Sequence, residues 1–297
     1  MRERAFFEDI FAERGFMGSL HGKLDVFLKD LNREIFHVMP EEFLEIDTYF
    51  QPIVELPSFR VIGYEALSRS ISGRSILELL SCAKAKGLLS EFDLYCRIRA
   101  IIKAWKLGLS PEELLFLNVH PGVLEHRGHT QGVILKLLEL LDIPSNQIVL
   151  EITEFERPQD IEGYLRTVFY YINQGFQVSL DDFGTGCVGY RTFLEIEPHF
   201  VKLDSYFVRA FSEGDYLSQK LLYHMVELCR EVVSKVIAEG IEEERMLKPL
   251  RDLEIRLFQG YYFGKPSSSL KGGGEASHER HSNHEFSDIT SSLIFLP

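Results

Sequence analysis

From Leu114 onward the chain alternates: short apolar runs are each followed by a longer run whose apolar residues recur at helical spacing. Leu114-Leu115-Phe116-Leu117-Asn118-Val119 leads to a helix over Val133 to Leu141, and Gln147 to Glu151 leads to a helix from Ile161 to about Gln174. Val178 to Leu180 is the next strand. His199 to Asp204 precedes a helix over Ser218 to Val232, Lys235 to Glu239 precedes one around Arg245 to Leu253, and Leu257 to Phe263 closes the series. Strands that alternate with helices pair in parallel, because each helix returns the chain to the same end of the sheet. So many units, with no Gly-x-Gly-x-x-Gly turn after the first strand, point to a closed TIM-like (β/α) barrel rather than an open dinucleotide-binding sheet. Ahead of the series, Ile46 to Leu56 and Phe59 to Leu67 are joined by a short turn at Pro57-Ser58. A short turn makes a hairpin, so one barrel strand is expected to run against the others. Helices over Ile76 to Lys86 and Glu91 to Leu107 fill the interval before Leu114.

The flanks read differently. Residues 1–44 form an N-terminal helical segment: Phe6, Phe7, Ile10 and Phe11 share one face, and Leu24, Phe27, Leu28, Leu31 and Ile35 share another. It is expected to pack on the barrel or on a partner subunit; a signal-relay linker is the alternative. The barrel is expected over 45–267. Residues 268–297 turn to Ser, Gly, His and Asn and read as a disordered polar tail. His278, His281 and His284 in it lack the Cys partners of a zinc site.

Charge and cysteine usage exclude some classes. The 297-residue chain carries a formal net charge of −13, which disfavours general attraction to a nucleic acid polymer or an anionic membrane. A small anionic ligand is still compatible, since a bound divalent ion reverses the local sign. Cys82, Cys96, Cys187 and Cys229 form no C-x-x-C pair, which fits a reduced, cytoplasmic setting. Met1-Arg2-Glu3-Arg4 is not followed by a signal-peptide core, and no apolar run is long enough to span a membrane.

The chemistry is concentrated where strands end. Val178-Ser179-Leu180-Asp181-Asp182-Phe183-Gly184-Thr185-Gly186 brings an apolar run onto two adjacent carboxylates and then two glycines. On a continuing strand the two acids would point to opposite faces, and side by side they would repel. A strand that ends there, with a cation between the acids, relieves both costs; a solvated turn is the plain alternative. The other strand ends deliver Glu65, Asn118, Glu151, Lys202, Glu239 and Gln259. In a β/α barrel these ends converge on one face. Glu65, Asn118, Glu151 and Asp181 supply oxygen donors suited to Mg²⁺ or Mn²⁺, and Asp182 with Glu239 could hold a second ion, the pair acting as a clamp on a phosphate ester. Lys202 would orient a water or neutralise transition-state charge. Taken singly, Lys202 also reads as a surface lysine paired with Asp204, Gln259 as a group satisfying the backbone, and Glu154 as helix-side surface charge.

The stretch Tyr64-Glu65-Ala66-Leu67-Ser68-Arg69 resembles the signature of the EAL-domain phosphodiesterases of cyclic diguanylate. The likeness extends over Tyr49-Phe50-Gln51-Pro52-Ile53-Val54, Leu117-Asn118-Val119, Leu150-Glu151-Ile152-Thr153-Glu154, Asp181-Asp182-Phe183-Gly184-Thr185-Gly186, Val201-Lys202-Leu203-Asp204, Ala238-Glu239-Gly240-Ile241-Glu242 and Phe258-Gln259-Gly260-Tyr261. The resemblance implies a barrel with one antiparallel strand and hydrolysis of cyclic diguanylate (c-di-GMP) to linear pGpG. It implies Mg²⁺ or Mn²⁺ on Glu65, Asn118, Glu151, Asp181, Asp182 and Glu239, in a two-ion site. It casts Glu65, Lys202, Glu239 and Asp182 as catalytic, Lys202 as a contact to the attacking water and Glu239 as a base. Gln51, Arg69 and Gln259 would meet substrate, and Glu154 and Glu242 would steady the loop after Asp182. After Gly186 the family usually continues with an aromatic residue and two serines, whereas Cys187-Val188-Gly189-Tyr190 stands here. In the family that loop bears on homodimer contacts and on metal and substrate binding. The departure motivates a second reading, a weakly active or inactive domain that serves as a c-di-GMP receptor or interaction module.

Overall fold

The computed structural model describes residues 19–125, 132–153, 158–185 and 189–270. Eight strands close into one barrel in sequence order. They are β1 (Ile46–Glu55), β2 (Arg60–Ser70), β3 (Leu114–Val119), β4 (Ile148–Thr153), β5 (Gln177–Phe183), β6 (Phe200–Leu203), β7 (Lys235–Ala238) and β8 (Leu257–Gln259). β1 is antiparallel to both β2 and β8, and every other pairing is parallel. The expected barrel with one reversed strand is therefore the fold. The described helices are α1 (Ser19–Glu34), α2 (Ile76–Ala85), α3 (Leu89–Lys106), α4 (Pro121–Leu124), α5 (Val133–Leu141), α6 (Ile161–Asn173), α7 (Gly189–Ile196), α8 (Ser205–Ser212), α9 (Tyr216–Glu231) and α10 (Leu247–Asp252).

The barrel interior is two layers deep. Below lies a dry plug of Ile53, Ile62, Phe116, Val149, Phe200, Ile237 and Leu257, with the Phe116 and Phe200 rings edge to face at 5.2 Å. Side chains two apart on a strand share a face. Phe116 thus stands under Asn118, Val149 under Glu151, Phe200 under Lys202, Ile237 under Glu239, and Leu257 under Gln259. The pleat alone stacks a polar layer on the apolar one.

A second, larger core fills the space between the strands and the surrounding helices, and the N-terminal segment joins it from Leu24 to Phe43. α1 buries Leu24, Phe27, Leu28 and Leu31 there. Phe36 packs edge to face on Tyr95 of α3, Phe43 packs on Phe92, and the Tyr95 hydroxyl donates to the Leu44 carbonyl at 2.8 Å.

The structure departs from the sequence reading at three points. β5 does not stop before the acids but runs through them to Phe183. α4, α7 and α8 are helices where no helix was expected. β8 ends at Gln259 rather than Phe263, because the chain turns sharply at Gly260, where an added Cβ would lie 2.1 Å from the Ile241 carbonyl oxygen. The phenylalanine cluster of residues 6–11, Glu154, Cys187, Val188 and the tail from 271 lie outside the described residues. Among those described, no helix is long and apolar enough to cross a membrane.

Candidate active site

Lys202 is the centre. It projects from β6 into the barrel and is 1% exposed. Its Nζ lies 2.7 Å from Glu239 Oε1, 3.0 Å from Glu151 Oε1, 3.2 Å from Asp181 Oδ1 and 3.2 Å from Glu65 Oε2. A surface pair with Asp204 is ruled out; Asp204 instead caps α8, its Oδ1 accepting from the Tyr206 N–H at 2.9 Å. One ammonium facing four carboxylates holds its proton far above the usual lysine range, although burial alone would push the other way.

The acids respond to the crowding. Burial, with the neighbouring charges of Glu65 and Asp181, raises the Glu151 carboxyl well above its ordinary value. Burial likewise raises Asp181, and it pushes Asp182 up to about 7 and Glu239 up to about 8. Glu65 moves down: burial opposes its charge, but Lys202 and hydrogen bonds from Gln259 and Asn118 outweigh it. Gln259 Nε2 donates to Glu65 Oε2 at 2.6 Å and to Gln51 Oε1 at 3.3 Å. Asn118 Nδ2 donates to Glu65 Oε1 at 3.3 Å. Gln51 and Glu65 are cross-strand partners in the hairpin register.

Asp181 and Asp182 are on one strand, yet both serve the site. Pairing between β5 and β6 slips after Leu180, and Asp182 takes a left-handed φ of +53°. Such a bulge re-aims a side chain, and aspartate is among the residues that tolerate this conformation. The predicted strand end is thus replaced by an irregular strand with the same result. One carboxylate oxygen each from Asp181, Asp182 and Glu239 lies within 4.8 Å of the others. Neither Glu151 oxygen nor Asp181 Oδ1 receives an in-line hydrogen bond, despite burial. Buried carboxylate oxygens met at most by the Lys202 ammonium, beside clustered acids, suit a hard divalent cation.

Other residues fall at the margins. Arg69 is exposed on β2, donates to the Ser68 carbonyl and lies 5.9 Å from the Tyr49 ring centroid. Glu242 is exposed and pairs with Arg209 of α8 at 3.3 Å. Asp204 reads in the sequence only as a surface partner for Lys202, and the structure gives it another part. It shares a hydrogen bond with Asp182 and helps to keep that carboxyl protonated. Its place two residues after Lys202 was the available signal. The loop after β7 is clamped: Glu239 N–H donates to Leu203 O, Ile241 N–H to Gln259 O, and Tyr262 N–H to Ile241 O. This holds Glu239 against β6.

Residues 41–266 match the family described as EAL domain. A probable cyclic di-GMP phosphodiesterase of Escherichia coli, PdeI, is 28% identical over 277 residues, covering 90% of this chain and 34% of its own. The cyclic di-GMP phosphodiesterase PdeB of Shewanella oneidensis is 31% identical over 235 residues, covering 75% of this chain and 26% of its own. The chain thus spans only about a third of the former relative and a quarter of the latter. Among solved structures, a standalone EAL protein of Vibrio cholerae in its c-di-GMP-bound form superposes with a TM-score of 0.71 at 31% identity, covering 78% of this chain and 98% of that one. Klebsiella pneumoniae BlrP1 in a manganese and cyclic-diguanylate complex gives 0.69 at 26%, covering 84% and 67%.

Proposed function

Because the chain belongs to the EAL domain family, we propose that it hydrolyses one phosphodiester of c-di-GMP to linear pGpG in a reaction that requires Mg²⁺ or Mn²⁺. The observation that carries this reading is Lys202, buried among four carboxylates whose oxygens are only partly satisfied. Glu65, Asn118, Glu151, Asp181, Asp182 and Glu239 would hold the ions, in a two-ion site. When bound, such ions supply Lewis-acid stabilisation of the phosphoryl oxygens and lower the pKa of water.

The chain's own residues do the rest. Lys202 positions the attacking water and offsets the charge that grows on the phosphoryl oxygens in the transition state. Glu239, the carboxylate nearest to it, accepts the proton of that water. Gln259 and Asn118 fix the Glu65 carboxylate through hydrogen bonds to both of its oxygens. Gln51, Arg69 and Gln259 contact substrate, and the dry layer beneath keeps bulk water from the site's underside. Glu154 and Glu242 steady the loop that follows Asp182. The catalytic unit is 45–267, flanked by the helical segment 1–44 and a polar tail over 268–297. It acts as a cytoplasmic homodimer; free Cys82, Cys96 and Cys229 are in keeping with a reducing compartment.

The test is product analysis after incubation of the chain with c-di-GMP and Mg²⁺ or Mn²⁺, beside Glu65→Ala. Wild type is expected to release pGpG and the variant to lose at least about 10²-fold in rate. A wild type that binds the dinucleotide with no release of linear product overturns hydrolysis in favour of the receptor reading, which the Cys187-Val188 departure motivates.

A further inference from the structure

The barrel has a second mouth, at the end opposite the carboxylates. A cavity of about 490 Å³ opens there, within the size range of small-molecule sites. Its floor is the underside of the dry plug: Ile62, Leu114, Phe200 and Leu257. Its rim is charged, and the charges are not equivalent. Arg60 is committed to Glu55 at 3.0 Å, and Arg230 to Glu254 at 3.0 Å. Lys235 and Arg256 have no carboxylate partner among the described residues; Lys235 Nζ sits 5.4 Å from the centroid of the Phe200 ring. Glu112 is the single remaining acid on the rim. Two cations without a carboxylate partner, against one acid, leave a local positive charge on a chain whose net charge is −13. An apolar floor with a few convergent cations takes a small organic anion.

We propose that this lower mouth is a binding site for a singly charged organic anion, a carboxylate carried on a flat apolar body. The body lies on the floor against Leu114 and Leu257, and the carboxylate meets Lys235 and Arg256. Phe200 links the two ends of the barrel, since it stands two residues before Lys202 on the same face of β6.

The probe is 2-naphthoate, titrated by calorimetry into the full metal-free chain. The same chain is titrated with acetate, which has the charge without the body, and with 2-naphthol, which has the body without the charge. Saturable one-to-one binding of 2-naphthoate is expected, at least tenfold tighter than either control. The double variant Lys235→Gln, Arg256→Gln should weaken it at least tenfold. Both residues are exposed, so circular dichroism of the variant should match wild type. Absence of saturable binding, equal affinity in the folded double variant, or equal affinity for acetate overturns the proposal. Glu65→Ala should bind the probe like wild type; a loss there would place the probe at the upper mouth and overturn it as well. Hydrolysis of c-di-GMP plays no part in these readings, so failure here leaves the upper site untouched.

Discussion

At the scale of residues, four carboxylates around the Lys202 ammonium are not balanced by it, and protons or cations must supply the difference. Glu239, at about 8, and Asp182, at about 7, keep protons in the folded metal-free chain at pH values where the unfolded chain has released them. The folded state therefore binds more protons between the ordinary carboxylate range and about pH 8. Its stability should fall as pH rises through that window, by about 1.4 kcal/mol per pH unit for each proton involved. Urea unfolding in chelator at pH 6 and pH 8 measures this; a metal-free chain that is more stable at pH 8 contradicts the assignment. A divalent cation must displace the same protons, so Mn²⁺ affinity should rise from pH 6 to pH 8. Removal of the central cation acts in the same direction. Lys202→Met should destabilise the chain by about 3–5 kcal/mol at pH 8, because the buried acids lose their partner. The penalty should shrink at pH 6, where more of them are neutral. Denaturant titrations of the variant at the two pH values decide it. Lys202 was legible in Val201-Lys202-Leu203, since alternation puts Phe200 and Lys202 on one face. The kink at Asp182 was not, because nothing in the letters Asp-Asp-Phe announces a left-handed φ.

At the scale of elements, strands were easier to read than short helices. β3, β4 and β6 are almost wholly buried, and each reads as a short apolar run broken by one polar residue, Asn118, Glu151 or Lys202. α7 and α8 have only eight residues each, too few turns for a periodic pattern to stand out, and α7 follows a glycine-rich stretch. The Asp204 cap is the readable signal for α8, hidden because Asp204 directly follows the apolar run of β6 and reads as its last residue. The clamp on the loop after β7 has a mutational consequence. An added methyl at Gly260 would stand 2.1 Å from Ile241 O and 2.3 Å from Ile241 N, a clash with backbone that no rotamer relieves. Gly260→Ala should push Ile241 away from Gln259 and carry Glu239 from Lys202. The expected result is a stability loss on the order of 1–3 kcal/mol with weakened Mn²⁺ binding. An alanine variant with wild-type melting and Mn²⁺ affinity would show that the loop yields freely.

At the scale of the whole molecule, the N-terminal helix is not an accessory. Leu28 of α1 is fully buried in the same cluster as the outer faces of the strands. Leu28→Ala should cost about 2–5 kcal/mol in a single cooperative transition seen by calorimetry. Two separate transitions, with the barrel melting unchanged, would mean that the helix and barrel fold independently. The proposed boundary at residue 45 therefore separates sequence patterns more than it separates cores. The dry plug carries one more implication. With Phe116 and Phe200 closing the shaft from below, the upper compartment is a blind well with a single door. Whatever enters it must back out by the same route before a successor can arrive, so a spent product and a fresh substrate contend for one passage. Under the hydrolytic reading, end-product inhibition should be of the competitive kind, overcome fully by raising the substrate concentration.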